Sequence, residues 1–227
     1  MSQRVHPGIR AVFFDAVGTL LFPEPSALEI YRTLAQRQGF ELSAHVIRER
    51  FIAAYRLEED ADRAADWVTS EERERNRWHR IVTSTLCEVP DPEACFHELF
   101  DHFAKPSAWK VHEEAETVFV KLRERGVVLG VGTNYDSRVW SVLEGIPILA
   151  PLLERVVVSA AIGFRKPAAE FFQEAVRRAG CEPSEVLFVG DDRENDHDGA
   201  LAAGLETVLL TPVSTGSHPP LAAALQL

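Results

Sequence analysis

The chain has 227 residues, 46% of them hydrophobic, and a formal net charge of −11 at pH 7, so it can bury one full core and part of a second. The acidic balance argues against nucleic acid as a partner, because phosphate backbones are bound by clustered Lys and Arg, and no stretch approaches the roughly 20 apolar residues that would make a membrane span. The three cysteines have neither CxxC nor Cys/His spacing and are typical of reduced thiols, so we expect a cytoplasmic protein whose oligomeric state the sequence leaves open.

Five short apolar runs are predicted to be strands. They are continuously hydrophobic rather than alternating, which is typical of strands covered on both faces in a parallel sheet. Helical patterns lie between the later runs, one ending at Gly126 and another at Gly180. Because strands and helices alternate, the sequence predicts an α/β fold with a doubly wound parallel sheet. The five runs are residues 11–14, 127–131, 155–159, 186–189 and 207–210.

A helical insertion is predicted between the first and second strands. Residues 23–105 contain no strand-like run, and their apolar residues recur at helical spacing, which indicates amphipathic helices that pack on one another. Ser26 with Glu29, and Thr69 with Glu72, have the spacing of capping boxes at helix starts. We therefore expect a small bundle of about four helices beside the sheet.

Polar residues follow the predicted strands at the points where the strands end. Asp15 follows the first run and precedes a glycine turn, where a carboxylate can act as a nucleophile or a cation ligand. Thr133 and Asn134 follow the second run, and their hydroxyl and amide can donate to an anionic oxygen. Lys166 follows the third run, just before a helix. Open α/β sheets bind ligands outside the carboxyl ends of their strands, so these residues predict one site.

The segment after the fourth run, residues 190–196, holds four carboxylates. Like charges crowded this closely are costly unless a cation relieves them, and Mg²⁺ takes oxygen ligands of this kind. Asp191, Asp192 and Asp196 are therefore candidate metal ligands. Asp192 and Glu194 also fit the alternative of solvated or helix-capping carboxylates.

Taken in chain order, these motifs resemble the four signature motifs of the haloacid dehalogenase (HAD) superfamily, over nearly the whole chain. A single Asp-x-x-Gly-Thr would be weak evidence, but four motifs at four strand ends are specific. The resemblance implies a Rossmann-like core of residues 1–22 and 106–227, with residues 23–105 as the helical C1 cap of that family. The motifs are residues 15–19, the segment ending at Thr133, the loop with Lys166, and residues 190–196.

The resemblance also implies roles for the motif residues. Asp15 is expected to attack the phosphorus of a small phosphorylated substrate and form an aspartyl-phosphate. Thr133 and Lys166 are expected to neutralise the transferring oxygens, with Asn134 beside them in the substrate site.

The same resemblance implies a Mg²⁺ site. Its expected ligands are Asp15, the backbone carbonyl of Val17 and Asp191, with Asp196 holding a bound water or Lys166. Asp192, adjacent to the cation position, is expected to share in the coordination.

Val17 departs from the pattern of the family. Phosphatases of the family carry an Asp at this position, which protonates the leaving oxygen and then activates water, and valine can do neither. Because general acid–base help is typically worth about 10²–10⁴ in rate, we expect an ordinary phosphatase site to be impaired by about that factor. The similarity is therefore greatest to HDHD-type members, whose first motif also lacks the second Asp.

Two other branches of the family also lack this Asp. Haloacid dehalogenases usually have Tyr there and generally lose the acidic pair of motif four, which this chain keeps. Phosphonatases use a cap lysine, and residues 23–104 contain no lysine. The leading interpretation is thus a Mg²⁺-dependent hydrolase of small phosphate esters or anhydrides. A degenerate member that binds a phosphorylated ligand or partner without turnover is the alternative, and a 2-haloacid dehalogenase is the less favoured one.

Receiver-type signalling domains also place acidic residues, Thr and Lys around a phospho-accepting Asp. Residue order argues against them, because their acidic pair precedes the acceptor, whereas here it comes last.

Two expectations concern the cap. Its basic residues are predicted to lie on solvated helix faces rather than in the site. The cap is predicted to move as a unit over the sheet, hinged near residues 22–25 and 105–106, since lids that exclude water commonly close over phosphoryl sites. The basic residues considered are Arg48, Arg56, Arg73, Arg77 and His79.

Overall fold

The computed structural model describes residues 8–211 and 220–227, and its centre is a five-stranded parallel sheet. The strand order across the sheet is β5-β4-β1-β6-β7, with β1 in the middle, so the predicted doubly wound α/β fold is confirmed. A separate antiparallel ribbon joins β2 to β3. In chain order the strands are β1 Ala11–Phe14, β2 Leu21–Pro23, β3 Trp109–Val111, β4 Val128–Thr133, β5 Val156–Val158, β6 Val186–Gly190 and β7 Glu206–Leu209.

The first predicted strand matches β1, and the other four differ from the observed strands by at most two residues at either end. The second predicted strand extends to Thr133, and the third stops at Val158 because Ser159 begins a short helix. The registers pair Phe14 of β1 with Val131 of β4 and with Val189 of β6. The carboxyl ends of the three central strands therefore meet at one edge of the sheet.

In the part of the chain that the structure describes, four α-helices lie between β2 and β3, and six follow β3. Among the helices of the described ranges, none combines the length and apolar character needed to cross a membrane. The helices are α1 Ala27–Arg37, α2 Ala44–Ala64, α3 Glu71–Thr85, α4 Pro92–Phe103, α5 Ala115–Glu124, α6 Arg138–Gly145, α7 Ser159–Ile162, α8 Ala169–Ala179, α9 Gly199–Ala202 and α10 Leu221–Ala224.

Of the two predicted capping boxes, the structure contains one. The capping box of Ser26 and Glu29 at α1 is confirmed. The predicted box of Thr69 and Glu72 is wrong, because Ser70 is the N-cap of α3 and accepts a hydrogen bond from the backbone of residue 73. The hydroxyl of Thr69 is buried and donates to Glu74 instead. Thr69 and Ser70 are both possible N-caps, and the sequence does not tell which of the two side chains is buried.

The apolar residues form three clusters. Val12 and Phe14 of β1 belong to the cluster on one face of the sheet, and Ala11 and Phe13 to the cluster on the other, because side chains alternate along a strand. The third cluster is made by α1 to α4 and the segments between them. The helical bundle thus has a core of its own, and we call it the cap.

Backbone-to-backbone hydrogen bonds join the cap to the rest of the described chain in two regions, and side-chain hydrogen bonds such as that from Arg138 to the carbonyl of Phe100 add further contacts. The ribbon of β2 and β3 carries the chain into the cap and out of it. On the other side, the backbone of Thr69 donates to the carbonyl of Gly163, and the backbone of Arg165 donates to the carbonyl of Trp67. The division into a core of residues 1–22 and 106–227 and a cap of residues 23–105 stays a prediction.

Candidate active site

The predicted motif residues meet at the carboxyl edge of the sheet. Asp15 directly follows β1, Thr133 ends β4, and Asp191 follows β6, so the parallel strands deliver all three to one place. Lys166 reaches the same place from the loop between α7 and α8, and Asp196 from a π-helical turn after β6. The sequence therefore located the members of this cluster.

The buried ammonium of Lys166 joins two of the carboxylates. Its Nζ donates to Oδ1 of Asp15 and to Oδ1 of Asp196, at 2.6 Å each, and to the carbonyl of Gly132 at 3.2 Å. Asn134 holds the backbone of Lys166 on both sides: its Oδ1 accepts from the backbone N–H at 2.8 Å and its Nδ2 donates to the carbonyl at 3.0 Å. Asn134 thus fixes the loop that delivers the lysine.

The electrostatics of the cluster favour bound protons or cations. Burial raises the pKa of Asp15 to about 8; Lys166 opposes this shift, and the charges of Asp196 and Asp191 add to it. Burial, together with the charge of Asp196, also raises the pKa of Asp191. Burial on its own would lower the pKa of Lys166, but the carboxylates of Asp15 and Asp196 outweigh it and raise that pKa. Three carboxylates face one ammonium, so negative charge is in excess.

The donor set fits a hard divalent cation. Asp15, Asp191 and Asp196 each offer one carboxylate oxygen, and these three atoms lie within 4.8 Å of one another. Thr19 donates to Oδ1 of Asp191 at 3.1 Å and orients that side chain. Mg²⁺ prefers oxygen ligands, and its charge would offset the surplus of negative charge.

Two glycines make room for these carboxylates. A Cβ on Gly18 would lie 2.5 Å from Oδ2 of Asp191, and the φ of +99° at Gly18 is one that L-residues rarely adopt. A Cβ on Gly190 would overlap the carboxylate of Asp196. The glycines of the motifs therefore serve the close approach of the acidic groups.

Asp192 and Val17 take different places from the clustered carboxylates. Asp192 lies outside the group of three, and its Oδ1 accepts from the backbone of Asn195 at 2.8 Å as a helix cap. The structure thus shows the capping contact of the alternative, and a share of Asp192 in metal coordination stays a prediction. The side chain of Val17 is 38% exposed and lines the cavity above Asp15, while the role of its carbonyl stays a prediction.

A cavity of about 360 Å³ extends from the carboxylates into the cap. Its floor is polar, and its far end, which we call the aromatic chamber, is lined mainly by aromatic rings. Its volume is at the lower end of the range typical of small-molecule sites. The aromatic chamber is defined by Tyr31, Phe51, Tyr55, Trp78, Phe100 and Trp109.

A family model places the chain among known proteins. The model of haloacid dehalogenase-like hydrolases matches residues 9–204. The chain belongs to this family. The family predicted from the four motifs is therefore confirmed.

Curated relatives support this HAD hydrolase assignment over most of the chain. Haloacid dehalogenase-like hydrolase domain-containing protein 3 of Homo sapiens is 31% identical over 233 residues, covering 96% of this chain and 90% of the human protein. The protein of the same name from Mus musculus is 30% identical, covering 96% and 86%. Ribulose-1,5-bisphosphate 5-phosphatase of Halopiger xanaduensis is 28% identical, covering 89% and 84%.

Solved structures of HAD proteins share the fold. A dehalogenase matches with a TM-score of 0.72 at 18% identity, over 93% of this chain and 88% of its own. A magnesium-bound HAD hydrolase of Bacillus subtilis, described with interdomain movement, matches with a TM-score of 0.69 at 19% identity, over 96% and 99%. At these identities the likeness shows the HAD fold alone.

The sequence motifs did not identify every residue of this HAD site. Asn195 is buried beside the cluster and lines the cavity, and within the described residues its Oδ1 has no hydrogen-bond partner. Arg138 also lines the cavity. The aromatic stripes of the cap were interpreted as packing between helices, and periodicity alone does not tell which rings border a cavity. The five basic cap residues considered in the sequence are absent from the cavity lining given by the described residues.

A buried ion cluster joins the cap to the loop of Lys166. Arg165 is buried and pairs with Glu74 of α3, and it lies 3.3 Å from Glu59 of α2. Arg77 of α3 pairs with the buried Asp62 and with Glu59. Of these residues, only Arg77 was considered in the sequence, where a solvated helix face was predicted for it. That prediction is wrong, because Arg77 is buried, and the cluster itself was not predicted.

Proposed function

We propose that this HAD hydrolase is a Mg²⁺-dependent phosphatase that uses Asp15 as its nucleophile. The observation that carries the proposal is the ammonium of Lys166, held 2.6 Å from both Asp15 and Asp196 at the floor of a cavity. A nucleophilic carboxylate beside a fixed cation matches the needs of phosphoryl transfer, where positioning and charge neutralisation supply most of the rate. A relative named as a phosphatase supports the same reaction class.

In this proposal each residue has a stated task. A carboxylate oxygen of Asp15 attacks the phosphorus and takes the phosphoryl group as an aspartyl-phosphate. Lys166 and the hydroxyl of Thr133, which is buried at the end of β4 and lines the cavity, neutralise the transferring oxygens. Asn134 keeps the backbone of Lys166 in place through its two hydrogen bonds.

Mg²⁺ would be held by Asp15 and Asp191, with the carbonyl of Val17 as a further ligand and Asp196 behind them. Bound there, it would supply positive charge for the phosphate oxygens. The carboxylate oxygens within 4.8 Å of one another support this assignment.

The test is a panel of phosphate esters assayed in millimolar Mg²⁺ and in EDTA. Asp15→Asn keeps the shape of the side chain and removes the nucleophile, so turnover should fall by about 10⁴-fold or more. Asp101→Asn, at an exposed position on α4, is the matched control and should keep wild-type rates. Equal turnover in Asp15→Asn, or no effect of EDTA, would assign the chemistry to other groups.

Val17 favours a second candidate, a protein that binds a phosphorylated ligand without turnover. Val17 lines the cavity, but its side chain has no proton that it could transfer to a leaving oxygen. In that case 1-naphthyl phosphate would bind to the wild type at micromolar concentration, and no phosphate would be released over hours. Release of phosphate that depends on Asp15 would exclude this candidate.

The geometry favours a 2-haloacid dehalogenase less. Three carboxylates lie together beside Lys166, and their surplus of negative charge suits a reaction that uses a divalent cation, whereas the cleavage of an alkyl halide needs none. Arg138, the other cation of the described cavity lining, is already paired with Asp136.

A further inference from the structure

The aromatic chamber has the shape of a site for a flat ring. Tyr31 and Phe51 meet edge to face with centroids 5.8 Å apart, and Phe51 stacks on Tyr55 at 6.0 Å. Aromatic rings prefer these two arrangements with one another, at centroid distances of about 4.5–7 Å. A substrate ring in the chamber would find both faces and edges to contact.

The chamber offers no spare charge for a second anionic group. Within the described lining, the one cation at its border is Arg138, whose guanidinium lies 3.5 Å from the ring centroid of Phe100. The buried carboxylate of Asp136 accepts two hydrogen bonds from Arg138, at 2.7 and 2.6 Å, and the carbonyl of Phe100 accepts a third at 2.9 Å. A half-buried cation already paired in this way is a poor partner for a second phosphate or a carboxylate.

Val17 restricts the leaving group. A residue at this position faces the cavity beside Asp15, and valine cannot protonate a departing oxygen. An alkoxide leaving without a proton is poor, because alcohols resemble water, with a pKa of about 16. A phenolate is far more stable, since the phenol of tyrosine has a pKa of about 10. Both the aromatic chamber and the first motif therefore favour an aryl phosphate ester over an alkyl phosphate ester.

We propose that the substrate is the phosphate monoester of a phenol or of a similarly acidic aromatic hydroxyl compound, with its ring in the aromatic chamber. The proposal rests on the proposed phosphatase function and names its substrate class. A cavity of about 360 Å³ has room for a phosphate and one or two fused rings.

The two chemical steps balance without a general acid. In the first, an oxygen of Asp15 forms a bond to phosphorus, the bond from phosphorus to the aryl oxygen breaks, and its electron pair leaves with the phenolate. In the second, water attacks the phosphorus, and the bond to Asp15 breaks to restore the carboxylate. The water proton passes to a phosphate oxygen, which releases dihydrogen phosphate.

The kinetic test centres on phenyl and cyclohexyl phosphate, which share a six-membered ring and differ in the acidity of the leaving oxygen. Phenyl phosphate and 1-naphthyl phosphate are assayed against cyclohexyl phosphate, glycerol 3-phosphate and fructose 1,6-bisphosphate in Mg²⁺. We expect kcat/KM for phenyl phosphate to exceed that for cyclohexyl phosphate by about 10²-fold or more, the lower limit of what a general acid supplies. Values within threefold of each other, or a preference for the bisphosphate, would overturn the proposal.

The binding test addresses the chamber itself and does not depend on turnover. Calorimetric titration of Asp15→Asn should give at least tenfold tighter binding of 1-naphthyl phosphate than of glycerol 3-phosphate. Phe51→Ala in this background should cost about tenfold for the naphthyl ester and leave glycerol 3-phosphate unchanged. Phe40→Ala, at an exposed position outside the cavity lining, is the matched control.

The two tests separate the two claims. If no ester is hydrolysed but the naphthyl ester binds with the stated preference, the phosphatase function fails and the ligand class stands. In the opposite case esters are hydrolysed, but 1-naphthyl phosphate and glycerol 3-phosphate bind equally to Asp15→Asn with and without Phe51→Ala. The phosphatase function then stands and the aromatic substrate class is wrong.

Discussion

At the scale of single residues, position 17 has the greatest consequence. Val17→Asp should place a proton donor beside the leaving oxygen and raise the rate on cyclohexyl phosphate by about tenfold or more, against a limit of about 10²–10⁴. Phenyl phosphate, which leaves as a stable anion, should gain less. The measurement is kcat/KM for both esters in the wild type and the folded variant.

The matched control is Val17→Asn, which is close in size to the Asp variant and carries no titrating proton. It should keep the wild-type rates on both esters. A gain in Val17→Asn equal to that in Val17→Asp would attribute the effect to polarity rather than to proton transfer.

A pH-dependent response to Mg²⁺ follows from Asp15. Burial raises its pKa from 3.8 to about 8, against the effect of Lys166 and with the help of Asp196 and Asp191. Between these two pH values the ion-free folded protein keeps a proton on Asp15 that the unfolded chain releases. The stabilisation that this proton gives to the folded state is complete at low pH and is lost as the pH rises towards 8. Mg²⁺ competes with that proton and should therefore stabilise the protein more at pH 8 than at pH 6.

The measurement is the increase in melting temperature on adding Mg²⁺ at each pH. Each tenfold gain in affinity adds about 1.4 kcal/mol when the cation is in excess, or about 3–6 °C for a chain of this size. Asp15→Asn should abolish the difference between the two pH values. An increase at pH 6 equal to that at pH 8 would contradict the assignment of the metal to Asp15.

The sequence indicated Asp15, Thr133 and Asp191 because each ends a buried strand or directly follows one, and strand ends fix where a side chain starts. Lys166 lies in the loop between α7 and α8 and was indicated by the context of the other motifs. The sequence could not separate the roles of neighbouring acidic residues after β6. Asp192 caps the following turn and Asp196 turns inward to Lys166, a difference set by the π-helical geometry of residues 193–198. Periodicity carries no signal for a turn of that kind.

At the scale of elements, Arg165 ties the loop of the active site to helices α2 and α3. Arg165→Met should leave Glu74 without its cation, and removing one partner of a buried pair typically costs about 3–5 kcal/mol. We expect the melting temperature to fall by about 6 °C or more. Arg177→Met, which removes an exposed ion pair with Glu174 on α8, is the matched control and should melt close to the wild type.

A second measurement separates stability from positioning. If Arg165 also positions Lys166, Arg165→Met should lower kcat at a temperature where the variant is fully folded, and Arg165→Lys should restore part of it. A melting temperature within 1 °C of the wild type would contradict the role given to the ion cluster.

The five sheet strands and the cap helices were predictable because their patterns span several turns or fully apolar runs. The ribbon of β2 and β3 was not, since three residues on each side are too few for a periodic signal. The charged residues of the ion cluster carry the composition of a solvated helix face, and their burial depends on the approach of Arg165 from a distant part of the chain.

At the scale of the whole molecule, the cap is predicted to open and close over the site. Cys87 is exposed in the cap and Cys181 is half-buried after α8, so both can carry spin labels, whereas Cys95 is buried. Double electron–electron resonance, a pulsed electron paramagnetic resonance method, should show a broad distribution of distances between the two labels in the ion-free protein. Mg²⁺ with vanadate, a phosphate mimic, should narrow it. One narrow distribution, identical in both states, would contradict cap movement.

The cavity is a property of the whole molecule that the sequence did not supply. Its polar floor comes from strand ends and its aromatic chamber from helices of the cap, so its shape depends on how the two parts meet. Residues such as Phe51 and Trp78 have the same helical spacing whether they face a neighbouring helix or an open space. The proposed substrate class therefore rests on the structure and not on the sequence.

Arg165 and Lys166 are adjacent in the chain, but the side chain of Arg165 contacts the cap and the side chain of Lys166 lies beside Asp15. This arrangement limits the use of the protein for making chimeras. A foreign bundle grafted between β2 and β3 would leave Arg165 buried without carboxylates, next to the lysine on which the site depends. A workable graft must bring counterparts of Asp62 and Glu74 with it, or replace Arg165 by a neutral residue. The exchangeable unit is thus larger than the inserted segment and extends to a loop about sixty residues beyond it.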